Sequence, residues 1–209
     1  MASLKKFTNG AVLNQLRHNE RTLANPSNED IDPERSGDNY ALFIPKEGSC
    51  YDRYLERKEE LYCYGRSDVK TMAAWIIQAP EELPSDQQEH FFQSVYNFLE
   101  DRYHKENVVQ AIVHQDEGGQ PHLHFCFIPA APDLKHEDFS EKICANDVLN
   151  LNEFKHFHPD LQHYLTAEGF DCCVHSGITR EIGGNLTVDE LKHREEYLHK
   201  KGYNQGVQW

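Results

Sequence analysis

Three histidines near the middle of the chain, His114, His122 and His124, form the pattern in this sequence that is best suited to chemistry. Side chains at positions i and i+2 of a strand point to the same face, so His122 and His124 would project together. If His114 ends a neighbouring strand that pairs with theirs, the three imidazoles meet at one point. Such a set is typical of a divalent metal site that keeps open positions for water or substrate.

Two acidic residues, Asp116 and Glu117, closely follow His114. Either carboxylate could be a fourth ligand, or could accept a hydrogen bond from a ligating histidine and so fix its tautomer. A purely structural zinc site is an alternative, because such sites usually include cysteine and Cys126 would face the same side as His124. An isolated His-x-His pair would mean little in a chain with 13 histidines, so the prediction depends on the third histidine and the carboxylates.

The histidines are predicted to lie on two paired strands. Residues 108–114 and 122–128 have strand-like composition, and the polar segment between them contains two glycines, as a hairpin loop would. Residues 71–78 predict another strand, which Pro80 ends. The metal site would therefore lie on central strands of an antiparallel sheet.

Helices are predicted before and after these strands along the chain. Residues 85–103 combine a capping-box pattern at Ser85 with aromatic residues at helical spacing. Residues 151–167 predict a second helix, which Pro159 should kink or split. The other segments predict an amphipathic helix over 50–64, a helix beginning at Thr187, and a short strand followed by loops over 1–35. Together the elements predict an α+β fold, an antiparallel sheet with helices packed on one face.

Composition indicates one globular domain over residues 1–209, because no repeat, low-complexity segment or linker interrupts the chain. No apolar run is long enough to span a bilayer, and the first residues lack the apolar core of a secretory signal. The six cysteines have no framework-like spacing and are expected to be reduced thiols. We therefore expect a cytoplasmic protein that does not bind membranes.

The net charge of −14 is unusual for a nucleic-acid-binding protein. The charge is unevenly distributed, however. Residues 1–70 carry 11 Lys or Arg against 12 Asp or Glu, so nearly all of the acidic excess follows residue 70. A polyanion would be received mainly by the N-terminal third of the chain.

The histidine segment resembles the H-x-D-E…P-H-x-H motif of the Mob/Pre (MobV-type) plasmid mobilisation relaxases, which belong to the HUH endonucleases. Other matching segments follow in the same order along nearly the whole chain: Arg17–Arg21 (RHNER), Ser27–Pro33 (SNEDIDP), Asn39-Tyr40, Arg66–Val69 (RSDV) and Thr187–Lys192 (TVDELK). The resemblance implies a bacterial relaxase domain, the N-terminal part of a longer protein, with a possible homodimer formed through the following region.

The resemblance also implies a reaction. A relaxase nicks one DNA strand at a transfer origin, stays joined to the 5′ phosphate and later reseals the strand, and the family's metal is Mn²⁺ or Mg²⁺, with Zn²⁺ able to replace it in a crystal. The family nucleophile is a histidine that maps to His18, and Glu117 is expected to orient it or to bind the metal. Tyr40 is the rival nucleophile, because most relaxases use tyrosine.

The DNA, single-stranded or folded as a hairpin, is expected to contact four basic residues. Arg17 and Arg21 flank His18, and guanidinium groups suit bidentate phosphate contacts. Arg66 and Lys70 precede the strand over 71–78. Two other functions stay open: a zinc-dependent hydrolase in which Glu117 activates water, and a DNA-binding or replication-initiation module that holds metal without chemistry.

Overall fold

A five-stranded antiparallel sheet forms the centre of the fold, in the order β1-β3-β5-β4-β2. In this computed structural model, residues 2–23, 28 and 30–174 are described. The sheet strands are β1 (Ala2–Thr8), β2 (Tyr40–Phe43), β3 (Lys70–Gln78), β4 (Val108–His114) and β5 (His122–Phe127). A separate hairpin pairs β6 (Ala130–Pro132) with β7 (Glu141–Ile143). The predicted hairpin, the strand over 71–78 and the α+β class are confirmed.

Five α-helices accompany the strands: α1 (Asn9–Asn19), α2 (Cys50–Glu59), α3 (Gln88–Tyr103), α4 (Ala145–Val148) and α5 (Leu151–Ala167). Short 3₁₀ turns cover Ser36–Asp38, Ser85–Gln87 and Lys105–Asn107. Within the described part of the chain, no helix is both long and apolar enough to cross a membrane. The helix predicted from Thr187 lies outside the described residues.

Helix α1 corrects the prediction of loops after the first strand. Its sequence contains Gly10 and three asparagines, all weak helix formers, so its local propensity is low. Val12 and Leu16, four residues apart, are 0% and 1% exposed against the sheet. This buried contact stabilises a helix that local propensity does not predict.

Two other helix boundaries differ from expectation. Helix α2 ends at Glu59 rather than near residue 64, because Tyr62 exchanges backbone hydrogen bonds with the β7 region. The capping box predicted at Ser85 was wrong, because that residue begins a 3₁₀ turn and α3 starts at Gln88 without a side-chain cap. A capping box does form at Ser49, whose hydroxyl accepts from the backbone of Asp52.

Helix α5 has the predicted bounds. Gly169 (φ +92°) lies just beyond its end, and the amides of Gly169 and Phe170 donate back to the carbonyls of Thr166 and Leu165. These two bonds form a Schellman motif. Pro159 does not split the helix. The buried side chains of the helix include Phe157 and Leu161, and we infer that their packing outweighs the interior-proline cost of about 3 kcal/mol.

Helices cover both faces of the sheet rather than the one face predicted, because α1 and α2 add a second layer. The two faces bury different kinds of residue. The aromatic face packs against α3 and α5 through Trp75, Phe125 and Phe127. The histidine face packs against α1 and α2; it carries His114, His122 and His124 and, further along, Gln110 and Cys126. Because strand side chains alternate, neighbouring residues such as His124 and Phe125 belong to opposite faces.

Candidate active site

The hairpin register brings the three predicted histidines together. His114 lies directly opposite His122, and His124 lies opposite Ile112. The ring centroids are 5.4 Å apart for His114–His122, 4.5 Å for His114–His124 and 4.9 Å for His122–His124. All three rings therefore occupy one end of the histidine face.

Glu117, in the β4–β5 loop, completes the cluster. One ligand atom from each of His114, Glu117, His122 and His124 lies within 4.8 Å of all the others. Glu117 Oε1 is 3.5 Å from His114 Nδ1, and its Oε2 is 3.7 Å from His122 Nε2. An isolated antiparallel bridge between Ile31 and Glu117 ties the loop to the segment that follows α1.

Several ring nitrogens in the cluster are buried without a hydrogen-bond partner. His114 Nε2 donates to the Asn19 carbonyl at 2.8 Å, which leaves Nδ1 facing Glu117. In the described part of the chain, His114 Nδ1 and both nitrogens of His124 have no hydrogen-bond partner. An unpaired buried polar atom costs free energy, on the order of 1–3 kcal/mol. A cation would satisfy the two open lone pairs, so these residues fit a divalent metal ion.

The electrostatics agree with a ligand role for the neutral imidazoles. Burial, and then the neighbouring His114, lowers the pKa of His124 well below its ordinary value. Burial also lowers the pKa of His122, against the opposing effect of Glu117. Burial alone would raise the pKa of Glu117, but contacts with His114 and Arg21 outweigh it and lower that pKa to about 2. Neutral imidazole and ionised carboxylate are the forms that bind metal.

The guanidinium group of Arg21 forms ion pairs with two acidic residues, Asp116 and Glu117. Its Nε and Nη2 contact the two oxygens of Asp116 at 2.8 and 2.6 Å, and Nη2 also contacts Glu117 Oε1 at 2.7 Å. Asp116 is fully buried and also accepts from the Ser36 hydroxyl at 2.7 Å. Burial opposes ionisation of Asp116, but the bonds from Arg21 and Ser36 hold its pKa well below the ordinary value. Asp116 thus lies outside the ligand atoms and fixes Arg21, which in turn holds Glu117.

His18 lies in the last turn of α1, beside this cluster. Its Nε2 is 4.0 Å from Glu117 Oε1, and its ring centroid is 6.4 Å from that of His114. Its side chain is 21% exposed. Partial burial, and then the Arg21 cation, lowers the pKa of His18. The ring therefore tends to be neutral and stays reachable from solvent.

Tyr40 lies on the other side of the sheet. It pairs with Val113 on β4 and packs against the aromatic face, near Glu89 of α3. Burial, and then the charge of Glu89, raises the pKa of Tyr40 to about 12. The structure does not bring this phenol to the histidine cluster.

The four predicted DNA contacts are spread widely. Arg17 is exposed one residue before His18, whereas Arg21 is engaged as described. Lys70 begins β3, whose other end, Gln78, pairs with His122. A strand of this length places Lys70 about 25 Å from the cluster. Arg66 is exposed in the segment before β3 and pairs with Asp68 at 3.4 Å.

Sequence reasoning missed the residues that support the cluster from α1 and the 3₁₀ turn, chiefly Asn19 and Ser36. The Asn19 carbonyl fixes the tautomer of His114, and its side chain donates to Gln110 Oε1 at 2.8 Å. A backbone acceptor leaves no signal in residue type. The adjacency of Asn19 to His18 was the available signal, but it needed α1 to be recognised as a helix.

Comparison with known proteins gives a consistent family assignment. Residues 1–193 match the family model Mob_Pre, described as plasmid recombination enzyme. A plasmid recombination enzyme of Lactiplantibacillus plantarum is 30% identical over 88% of this chain and 50% of its own length. One of Streptococcus agalactiae is 27% identical over 96% of this chain and 41% of its own length. The chain thus spans about half the length of these curated relatives.

Solved structures agree in fold. The MobM relaxase domain, in a manganese-bound crystal structure with plasmid pMV158 oriT DNA, superposes with a TM-score of 0.74 at 27% identity, over 93% of this chain and 97% of that one. The conjugative relaxase TrwC, with a TM-score of 0.51 at 12% identity over 100% of this chain and 86% of that one, shares the fold. The chain belongs to the Mob/Pre family of plasmid recombination enzymes.

Proposed function

We propose that this chain is the catalytic domain of a metal-dependent DNA relaxase, which nicks one strand at a transfer origin and later rejoins it. The proposal rests on the cluster of His114, His122, His124 and Glu117, in which His114 and His124 are buried, and on His18 beside the same carboxylate. Family membership and the MobM likeness support it. Because plasmid DNA is the expected substrate, the activity would belong in the bacterial cytoplasm.

The metal would be held by His114, His122, His124 and Glu117. Three imidazoles and one carboxylate favour Mn²⁺ over Mg²⁺, which prefers oxygen ligands and retained water. When bound, the ion would neutralise charge on the non-bridging oxygens of the scissile phosphate. Arg21 and Asp116 would serve this site by keeping Glu117 ionised and in place.

His18 would be the nucleophile. A neutral ring nitrogen attacks the phosphorus, so that a P–N bond forms while the P–O3′ bond breaks. The departing oxygen takes a proton and becomes a free 3′ hydroxyl, and the 5′ phosphate stays on His18. Glu117 Oε1, 4.0 Å from His18 Nε2, would orient an N–H at that nitrogen and leave Nδ1 to attack. Glu117 is paired with Arg21 and stays ionised, so water would accept the proton that the imidazole loses and supply the proton that O3′ takes. Rejoining reverses these bonds.

The DNA would approach over the exposed side of His18. Arg17 is exposed beside it and is our candidate phosphate contact near the reacting bond. Arg66 and Lys70 would contact DNA farther along the sheet, on a single strand or a hairpin. Arg21 is engaged with Asp116 and Glu117, so we assign it to the site rather than to DNA. Binding should weaken steeply with salt if phosphate contacts dominate.

The test is formation of a covalent adduct. Labelled single strands from candidate transfer origins are incubated with Mn²⁺ and the protein, then run on denaturing gels kept free of acid, because phosphohistidine is acid-labile. An adduct that requires Mn²⁺, persists in Tyr40→Phe and is absent in His18→Ala and His122→Ala is expected. An adduct lost in Tyr40→Phe but retained in His18→Ala would contradict the assigned nucleophile. Metal-dependent hydrolysis of a small substrate without any DNA adduct would favour a zinc-type hydrolase.

A further inference from the structure

A cavity of about 410 Å³ adjoins the candidate active site on the histidine face, between the end of α1, strand β2 and the start of α2. It shares two residues with the site: Asn19, whose carbonyl holds His114, and Arg21, which holds Glu117. Ile112, in its wall, pairs with His124 across β4 and β5. The cavity therefore lies beside the metal cluster, separated from it by the residues that support the ligands. Its volume falls in the range of about 300–1,000 Å³ typical of small-molecule sites.

The walls of this cavity combine apolar and polar groups. Ala41, Ile44, Pro45 and Ile112 line the apolar part. Ile44 is 53% exposed, one of the few large apolar side chains at the described surface, and it lies where a ligand would cover it. A flat apolar ligand with polar edges suits such walls better than a charged one.

The charges of the cavity also select against a phosphate. Among its described lining residues, Arg21 is the sole cation, and its guanidinium is bound to Asp116 and Glu117. Glu20 is the sole carboxylate in that lining. A phosphate would meet Glu20 without a free cation and would be repelled. The sugar-phosphate backbone should therefore stay outside.

Glu20 has acceptor capacity left for a ligand. Its Oε1 accepts from Gln110 Nε2 at 2.9 Å, which fixes the carboxylate. The Cys50 thiol also donates to Glu20, and burial together with this contact raises the pKa of Cys50. A carboxylate offers about four lone-pair positions, so positions for ligand N–H groups stay open. Adenine, cytosine and guanine carry exocyclic amino groups that can donate to a carboxylate. The one N–H of an unpaired thymine base edge, at N3, lies between two carbonyl oxygens that would be repelled by a carboxylate.

We propose that this cavity takes the unstacked base of one nucleotide next to the attacked phosphate, and that Glu20 selects an amino-bearing base there over thymine. The inference rests on the proposed nicking function. Extruding one base would also fix the position of the neighbouring phosphate over the metal cluster, because base and phosphate are joined by a short backbone segment. Ile44 would cover the face of the base and Glu20 would read its edge.

The test uses Mn²⁺ and a library of single-stranded oligonucleotides with a randomised segment, from which adduct-forming strands are sequenced. In wild type, thymine should be disfavoured about tenfold at one position beside the cut, the discrimination expected of a good base contact. Glu20→Gln, whose amide can also donate to a thymine oxygen, should remove that preference at the same position and leave the others unchanged. An identical base profile in wild type and Glu20→Gln would overturn the proposal. Absence of any wild-type adduct would instead contradict the relaxase function on which it rests.

A second measurement guards against a merely structural effect of Glu20. A selected strand is remade with an abasic site at the discriminating position, and adduct rates are compared for wild type, Ile44→Ala and the surface control Leu134→Ala. Ile44→Ala alone and the abasic site alone should each lower the adduct rate several-fold. Because Ile44 would contact that base, the two changes together should lower the rate by less than the product of their separate effects. Leu134→Ala, an exposed aliphatic outside the cavity, should behave as wild type. Independent, additive effects of Ile44→Ala and the abasic site would overturn the proposal.

Discussion

The sheet buries polar side chains on both faces, and the two groups differ in how their hydrogen bonds are completed. On the aromatic face, Trp75 Nε1 donates to the Tyr103 hydroxyl at 2.7 Å, and that hydroxyl donates to Glu153. Glu153 is in turn held by Arg102 at 2.8 and 3.0 Å. On the histidine face, both nitrogens of the buried His124 have no partner within the described chain.

This difference separates structural from functional polar groups. A closed network stabilises one packing arrangement and needs nothing from outside. A cluster of buried polar atoms without hydrogen-bond partners destabilises the folded protein until a ligand binds to those atoms. Such a cluster therefore indicates a binding site. The same contrast exists within the histidine face. The buried side chains of Asn19 and Gln110 hydrogen-bond to each other, whereas the two ring nitrogens of His124 have no hydrogen-bond partner in the described chain.

The largest effect is expected for His124→Ala. Loss of one ligand should weaken Mn²⁺ binding by about 10²-fold or more and abolish Mn²⁺-dependent thermal stabilisation. The metal-free variant should be about as stable as metal-free wild type, because unpaired buried nitrogens are removed along with packing. Titration calorimetry and thermal melts with and without Mn²⁺ measure both quantities. His156→Ala, an exposed histidine on α5, is the matched control, and equal loss of Mn²⁺ binding in both variants would contradict the assignment.

Phe157→Ala should show the opposite behaviour. Phe157 is fully buried and stacks on Trp75 with ring centroids 3.6 Å apart. Its truncation should lower the free energy of unfolding by about 3–5 kcal/mol, the usual cost of a large core cavity. Urea denaturation measures this loss, and Mn²⁺ affinity of the folded variant should match wild type. Loss of Mn²⁺ affinity in protein shown to be folded would mean that the two faces are not independent.

Tyr103→Phe tests the closed network directly. Removing the hydroxyl leaves the buried Trp75 N–H without its acceptor, while Glu153 keeps Arg102. We expect a loss of about 1–3 kcal/mol in the free energy of unfolding. Mn²⁺ binding and adduct formation should be unchanged. No measurable loss of stability would indicate that this network is not structural.

The smallest effect is expected for Arg66→Ala. Its side chain is 74% exposed, and so is that of Asp68, with which it pairs. Stability should stay within about 0.5 kcal/mol of wild type. If Arg66 contacts a phosphate, the slope of log affinity against log salt should fall by about one, measured by fluorescence anisotropy. An unchanged slope would remove Arg66 from the DNA-binding surface.

The aromatic face could be predicted from sequence, and the histidine face only in part. Apolar residues recur at helical spacing in α3, and inward and outward side chains alternate in β4 and β5. Both patterns arise from burial of one side of the element, so they predict the helix and the strands. His122 and His124 followed from the same alternation. Helix α1 could not be predicted in this way, because its residues have weak helix propensity and the burial of Val12 and Leu16 against the sheet stabilises it.

The roles of individual polar residues were harder to predict than their proximity. Arg21 looks like a DNA contact in sequence, yet it is bound by Asp116 and Glu117, which lie 95 and 96 positions away. Residue type reports charge but not the partner that neutralises it. Likewise, residue type makes Tyr40 a candidate nucleophile, but only the strand register shows that it packs on the aromatic face.

We infer that the unpaired nitrogens of His114 and His124 serve to bind a metal ion. Crystals of the protein grown with Mn²⁺ and measured at the manganese absorption edge test it most directly. We predict one anomalous peak within bonding distance of His114 Nδ1, His122, His124 and Glu117, absent in His124→Ala. A peak elsewhere, or ordered water hydrogen-bonded to both His124 nitrogens without any anomalous signal, would contradict the account.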